Sequence, residues 1–309
     1  MSTLLVHHPK FLEHLTPLGH PERPDRIRAV DRILEHERFQ ALERELAPLG
    51  TILQAELAHP ADYVENIRVA MPEDGLIRID EDTTVSPGSW EAALRGVGGV
   101  CMAVDEVFSR RVSNAFCAIR PPGHHAERSR AMGFCLFNNA AAAARWAQRT
   151  HGAERVAIMD FDVHHGNGTQ DIFWNDGSVL YASTHQMPLY PGTGALNETG
   201  EKNTIVNAPL RSGDGGAEFR EAFEIAILPR IADFRPDLIV ISAGFDGHHR
   251  DPLGGLNLVE ADFAWATAKL MDLADAHAGG RLVSVLEGGY DLEGLAKSVA
   301  AHVMTLMTA

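Results

Sequence analysis

Short apolar, β-branched runs alternate along the chain with longer stretches whose apolar positions recur every three to four residues. Runs at residues 3–6, 115–119, 156–159, 179–182, 204–207, 238–241 and 282–286 predict strands. Between them, the spacing predicts helices over 25–39 (Ile27, Val30, Ile33 and Leu34 on one face), 61–71, 90–108 behind a Ser89 cap, and 138–148. Further helices follow at 218–233 and 260–277, and a last one closes the chain. The acidic, broken segment 73–87 reads as a surface loop. Strand and helix alternate almost throughout, which predicts an α/β fold: an open, mostly parallel sheet covered by helices on both faces. No repeat or linker interrupts the pattern, so residues 1–309 are expected to form one domain.

The polar positions gather where the strands end. Residues 155–171 begin as a buried strand and then become polar at once. In extended chain, Asp160, Asp162 and His164 point one way, and Phe161, Val163 and His165 the other. Residues two apart on one face lie roughly 6.5 to 7 Å apart, close enough for Asp162 and His164 to share a metal ion. A lone Asp-x-His triplet is more often a solvated strand end. Three ionisable groups directly after a buried strand favour a site, because open α/β sheets bind ligands at the carboxyl ends of their strands.

Other strands end in the same manner: Arg120-Pro121-Pro122-Gly123-His124-His125, then Ser183-Thr184-His185, then Asp246, then Glu287-Gly288-Gly289-Tyr290. Asp162, His164 and Asp246 would supply three ligands from two strands and leave a fourth position open, the layout of a catalytic zinc site. The tandem His124 and His125 suit general acid/base work, with Asp160 and Asn167 as available partners. Tyr290, on a Gly-Gly turn, can donate to a developing oxyanion.

Composition narrows the partners. No apolar run reaches 18 residues, and residues 1–10 lack a signal-peptide pattern, so neither a membrane span nor a leader is expected. Cys101, Cys117 and Cys135 have neither zinc-knuckle nor disulfide spacing, which points to a reducing cytoplasm. The net charge of -15 argues against nucleic acid and suits a cationic substrate. Only Lys10, Lys202, Lys269 and Lys297 are lysines among 27 basic residues, a bias that with abundant alanine suggests a GC-rich prokaryotic genome.

Taken together, Arg-Pro-Pro-Gly-His-His, Gly-Phe-Cys, Asp-Phe-Asp-Val-His-His-Gly-Asn-Gly-Thr-Gln, Ser-Ala-Gly-Phe-Asp with Asp251-Pro252-Leu253-Gly254-Gly255, and Glu-Gly-Gly-Tyr resemble the histone deacetylase superfamily, in order and over nearly the whole chain. Asn167 and the Gly-Phe-Asp and Asp-Pro-Leu-Gly-Gly segments look like class II. The resemblance implies the arginase/deacetylase fold and zinc-dependent hydrolysis of an acetylated amine. It makes Asp162, His164 and Asp246 the zinc ligands and His125 the general base, supported by Asn167. His124 becomes the second, electrostatic histidine, paired with Asp160, and Tyr290 the residue that polarises the acetyl carbonyl. Gly133, Phe134 and Tyr190 become the walls of a tunnel for the lysine stem. It also implies one or two potassium ions. The first would sit at Asp160, the Ser183 hydroxyl and the backbone oxygens of Asp162, His164 and Thr184, and the second near Phe173, Asp176 and Val179. Leu253 stands near the position of an acidic gatekeeper in polyamine deacetylases, which favours acetyl-lysine peptides or proteins over acetylpolyamines.

Three other readings compete: an acetylpolyamine or other small-molecule amidohydrolase on the same site, a non-catalytic acyl-lysine binder, and a binuclear manganese ureohydrolase. Tyr290 and both histidines speak against the binder. The histidines also stand where a second metal's carboxylates would be expected.

Overall fold

The structure, a computed structural model, describes residues 2–308. In chain order its main elements are β1 (Thr3–His7), α1 (Asp25–Leu34), β2 (Glu43–Leu46), α2 (Ile52–Ala55), α3 (Ala61–Val69), β3 (Ile77–Arg78), β4 (Thr84–Val85) and α4 (Ser89–Phe108). Then come β5 (Asn114–Cys117), α5 (Asn139–His151), β6 (Val156–Asp160), α6 (Asn167–Phe173), β7 (Val179–Gln186) and β8 (Ile205–Leu210). The chain finishes with α7 (Gly216–Ala222), α8 (Leu228–Phe234), β9 (Leu238–Ala243), α9 (Glu260–His277), β10 (Leu282–Leu286) and α10 (Leu292–Leu306).

Eight strands form one open sheet in the order β2-β1-β5-β10-β9-β6-β7-β8. Each of its strand pairs is parallel. The inner strands β6, β9 and β10 are buried along their whole length, as strands covered on both faces must be. Helices α1, α10 and α9 pack in one layer, and α4, α5 and α6 in the other. Buried side chains of both layers join in one continuous apolar core.

Several boundaries differ from the sequence pattern. The first helix stops at Leu34, and a short 3-10 turn, Glu37–Phe39, finishes the stretch read as helical. The expected helix over 218–233 is α7 and α8 joined by a π-helical segment, Phe223–Ile227. The edge strand β2 was not expected: Glu-Arg-Glu-Leu is exposed at every position and carries no apolar alternation. The segment 73–87 is not simply a surface loop. It holds the antiparallel ribbon β3–β4, and Thr83, Thr84, Val85 and Ser86 are buried.

Candidate active site

Four adjacent strands, β5, β10, β9 and β6, end on one rim of the sheet. The segments that leave them carry His124 and His125, Tyr290, Asp246, and Asp162 with His164. Strand β6 itself stops at Asp160, and the chain beyond it turns through carboxylate caps. Asp160 Oδ1 accepts from the Asp162 amide (3.1 Å), and Asp162 Oδ1 accepts from the His164 amide (2.9 Å). The alternation of sides survives the turn. Phe161 packs into the core against Phe245 and Phe263, and His165 turns away to Gln170 and Thr193.

Asp162, His164 and Asp246 converge, with ligand atoms within 4.8 Å of one another. His164 Nδ1 stands 3.1 Å from Asp162 Oδ1 and 3.0 Å from Asp246 Oδ2. All three residues are buried. The other carboxylate oxygens are aimed by the backbone: Gly288 N–H donates to Asp162 Oδ2 (2.8 Å) and Val163 N–H to Asp246 Oδ1 (2.8 Å). Burial alone would lower the His164 pKa, but its bonds to Asp162 and Asp246 lift it to about 10. Burial and the neighbouring Asp162 push Asp246 up to about 7. Such a pocket draws in positive charge, whether a proton or a cation. Two carboxylates and one imidazole, deeply buried and pre-aimed, fit a divalent cation that takes nitrogen and oxygen ligands.

The two histidines next to this cluster differ in charge. His124 Nδ1 is 2.9 Å from Asp160 Oδ2, and its Nε2 is 3.8 Å from Asp162. Burial opposes its charge, but Asp160 and Asp162 outweigh burial and raise its pKa well above the usual value. His125 is held well below its usual value by burial, reinforced by the charges of His124 and His164. It is therefore neutral near pH 7.

The tautomer of His125 follows from its partners. The Asn167 amide nitrogen donates to Glu127 (2.8 Å), so Asn167 Oδ1 faces His125 Nδ1 at 2.8 Å and must accept. Nδ1 carries the proton, and Nε2 keeps a free lone pair. Tyr290 keeps its hydroxyl proton, because burial raises its pKa well above the usual value.

Above the cluster opens a cavity of about 220 Å³ lined by Asp82, His125, Gly133, Phe134, His164, Leu189, Tyr190, Leu253 and Tyr290. Phe134 and Tyr290 meet edge to face at 5.9 Å, as do His125 and Tyr190 at 5.2 Å. The three residues expected as tunnel walls, Gly133, Phe134 and Tyr190, all line it, as does Leu253. A wider groove between α1 and α10 holds no histidine and no comparable cluster.

Beneath the rim, Asp160 Oδ2 also accepts from the Tyr181 hydroxyl (3.2 Å). Ser183 pairs with Asp160 in register, and its hydroxyl contacts His185 Nδ1 (2.9 Å). Thr184 Oγ1 is buried without a hydrogen-bond partner among the described residues.

Two residues here have no role in the sequence reading, and a third has only a conditional one. Glu287 is fully buried and accepts from the amides of Gly123 (2.7 Å) and His124 (3.1 Å) and from the Ser242 hydroxyl (3.0 Å). Burial lifts its carboxyl to about 7. Its place in Glu-Gly-Gly-Tyr was the available signal. Glu127 orients Asn167. Asp82 reaches the cavity because its carboxylate accepts from the Gly133 amide (3.0 Å), which ties the β3–β4 ribbon to the wall. In the sequence Asp82 belongs to the acidic loop around Asp80 to Asp82, which would supply recognition of a polyamine if that were the better substrate.

An open, wholly parallel α/β sheet with a buried cluster of two carboxylates and one imidazole beneath a strand-end cavity defines the class of this protein. The comparisons then narrow it. Residues 20–306 match the family described as "Histone deacetylase domain". A "Probable deacetylase" of Archaeoglobus fulgidus is 40% identical over 303 residues, covering 95% of this chain and 83% of that protein. The "Histone deacetylase-like amidohydrolase" of Pseudomonas aeruginosa is 39% identical, covering 88% and 73%. "Histone deacetylase 14, chloroplastic" of Arabidopsis thaliana is 40% identical, covering 94% and 73%. Among solved structures, the HD domain of HDA15 superposes with a TM-score of 0.94 at 37% identity, covering 99% of this chain and 90% of that one. The chain belongs to the histone deacetylase family of hydrolases and is an enzyme of the deacetylase type. No helix among the described residues is long and apolar enough to cross a membrane.

Proposed function

We propose that the chain is a zinc-dependent deacetylase that removes acetyl groups from the side-chain amine of lysine in peptides or proteins. One observation carries the reading. A narrow, largely apolar cavity leads to a neutral histidine, a tyrosine hydroxyl and a cluster of two carboxylates with one imidazole. An apolar wall of Phe134, Tyr190, Leu189 and Leu253 suits an alkyl stem, and Asp82 at the cavity offers an acceptor to a cationic or amide group.

Asp162, His164 and Asp246 would hold the zinc, which supplies Lewis acidity toward the acyl carbonyl and makes a water more acidic. His125 Nε2 takes a proton from the attacking water as oxygen bonds to the acyl carbon. Tyr290 donates a hydrogen bond to the carbonyl oxygen as negative charge develops there. The proton then passes to the leaving nitrogen as the C–N bond breaks, giving acetate and a free amine. His124, charged and held by Asp160, balances the buried carboxylates.

Asp160, the Ser183 hydroxyl and the backbone oxygens of Asp162, His164 and Thr184 suit one potassium ion, since Ser183 lies beside Asp160 in register. A second ion near Phe173, Asp176 and Val179 would have to be held by backbone oxygens, because the Asp176 carboxylate is taken by Ser178 and by Arg145 (2.6 Å). We take residues 1–309 as one catalytic unit. Three buried free cysteines suit a reducing compartment such as the cytoplasm, and two relatives are named chloroplastic.

The test compares kcat/KM for an acetyl-lysine peptide with that for an acetylated polyamine, on zinc-loaded enzyme. A ratio well above one is expected, since Leu253 puts no charge at the gatekeeper position. A ratio well below one would replace the peptide substrate by a polyamine. No turnover of either by zinc-loaded enzyme, or activity that survives chelation, would overturn the zinc deacetylase reading.

A further inference from the structure

Asp251 has no part in the chemistry above, yet it touches both the wall of the cavity and its catalytic end. It lies in the loop between β9 and α9, and its side chain is buried. Its Oδ1 accepts from the Leu253 amide (3.0 Å). Its Oδ2 accepts from the Tyr290 amide (2.6 Å) and from the Asp291 amide (3.2 Å). The loop itself is held from behind, because the Asp251 amide donates to the His248 carbonyl (2.8 Å). One carboxylate therefore straps the tunnel-wall residue Leu253 to the turn that presents Tyr290.

That turn needs such a strap. Tyr290 follows Gly288 and Gly289, and Gly289 has a φ of 120°, so the backbone before the tyrosine has unusual freedom. The ring meets Phe134 edge to face at 5.9 Å, and the Arg26 guanidinium lies over it, 5.0 Å from its centre. Arg26 also donates to the Gly289 carbonyl (2.7 Å). Those contacts limit how the ring tilts. The Asp251 bond fixes how far the tyrosine projects along the cavity axis, because it is made to the residue's own amide. A catalytic donor displaced by 1 Å can cost about 100-fold in rate.

We propose that Asp251 is a positioning residue for catalysis. It sets the Tyr290 hydroxyl against the acyl carbonyl and transmits the placement of Leu253 to it. The proposal rests on the donor role given to Tyr290 above. Asp251 also supports the first turn of α10 through Asp291, so a loss of stability on its own would not distinguish positioning from structure.

A double-mutant cycle on the zinc-loaded full chain with an acetyl-lysine peptide makes the distinction. Asp251→Asn keeps the shape but leaves one side-chain acceptor, so its N–H₂ must oppose either the Leu253 amide or the Tyr290 and Asp291 amides, and the strap between them is broken either way. Tyr290→Phe is expected to lower kcat by about 100-fold. Asp251→Asn is expected to lower kcat by about 10- to 100-fold, with KM moved by less than about threefold. In the Tyr290→Phe background the same change should cost less than about threefold, because no hydroxyl remains to be placed. An equal loss in both backgrounds, or an unchanged kcat in Asp251→Asn, overturns the positioning role while leaving the deacetylase reading intact. If Tyr290→Phe itself leaves kcat unchanged, the donor role of Tyr290 fails and the proposal falls with it. Should Asp251→Asn not fold, Asp251→Glu, which keeps both acceptors one methylene further out, enters the same cycle with the same expected pattern.

Discussion

The chemistry of single residues depends here on which neighbour each ionisable group meets. His124 and His125 are adjacent in sequence, with ring centres 4.0 Å apart, yet they carry opposite preferences for a proton. His124 faces a carboxylate, whereas His125 faces an amide oxygen beside a charged imidazole. This contrast predicts a pH effect. Replacing Asn167 by Asp puts a negative charge beside His125, which favours its protonated form. The base form then appears only at higher pH, so the acidic limb of kcat/KM should move upward by a unit or so, of the order of a close charge pair. A limb that stays in place or moves downward would show that His125 is not the group titrating there. The histidine pair and its two partners were readable from the motifs. Glu127, which orients Asn167, was not, since nothing in its local sequence points toward residue 167.

Among the elements, the strand ends decide how tightly the chain approaches the ligand cluster. Gly288 lies two residues past the end of β10, and a Cβ at this position would fall inside contact distance of both Asp162 Oδ2 and Asp246 Oδ2. Its amide also donates to Asp162. Gly288→Ala is therefore expected to weaken zinc binding by about 10- to 100-fold, the range seen when groups behind a metal ligand are disturbed. Chelator competition reads the affinity and thermal unfolding checks that the fold remains. Unchanged zinc affinity would mean that the carboxylates move aside without cost. The buried strands and long helices were legible because burial on two faces, or on one stripe, imposes a pattern. Strand β2 and the β3–β4 ribbon were not. An exposed edge and a two-residue ribbon bury too little to leave a periodic trace, and their positions come from partners distant in sequence.

Across the whole molecule, several histidines are buried as neutral groups. Burial lowers the pKa of His59 to about 4, of His185 to about 4 and of His302 to about 3. All three make hydrogen bonds that hold them in place. An unfolded chain would protonate each near 6.5. Between that value and the folded values the unfolded state binds more protons, so stability falls as the pH is lowered from 6.5 toward 4. Each group contributes up to about 1.4 kcal/mol per pH unit in that window. Asp246 and Glu287, whose carboxyls are lifted to about 7, act in the opposite sense in the same window. The fall in urea midpoint from pH 7 to pH 5 should therefore be less steep in His302→Gln than in the parent chain, and an unchanged slope would show that His302 already takes up its proton in the folded state. Glu22 acts in the same direction at lower pH. Burial opposes its charge, but Arg120 and Arg26 hold its carboxyl well below the usual range, so its contribution is full above about 4.5 and is lost progressively as the pH falls from there toward the folded value.

The sequence alone determined the alternation of strand and helix, the buried character of the inner strands, and the residue types available at each strand end. These depend on local periodicity and on the chemistry of single side chains. Tertiary structure alone decided which strand ends are neighbours. The last strand, β10, enters between β5 and β9, and that insertion brings Tyr290 and Glu287 beside the His124–His125 segment more than 160 residues earlier in the chain. No local pattern encodes strand order, because a parallel strand buried on both faces is equally apolar wherever it sits. The same holds for Asp82 and Asp251. Their roles arise from amides brought to them by the packed sheet, and a carboxylate in sequence carries no sign of the amide it will meet.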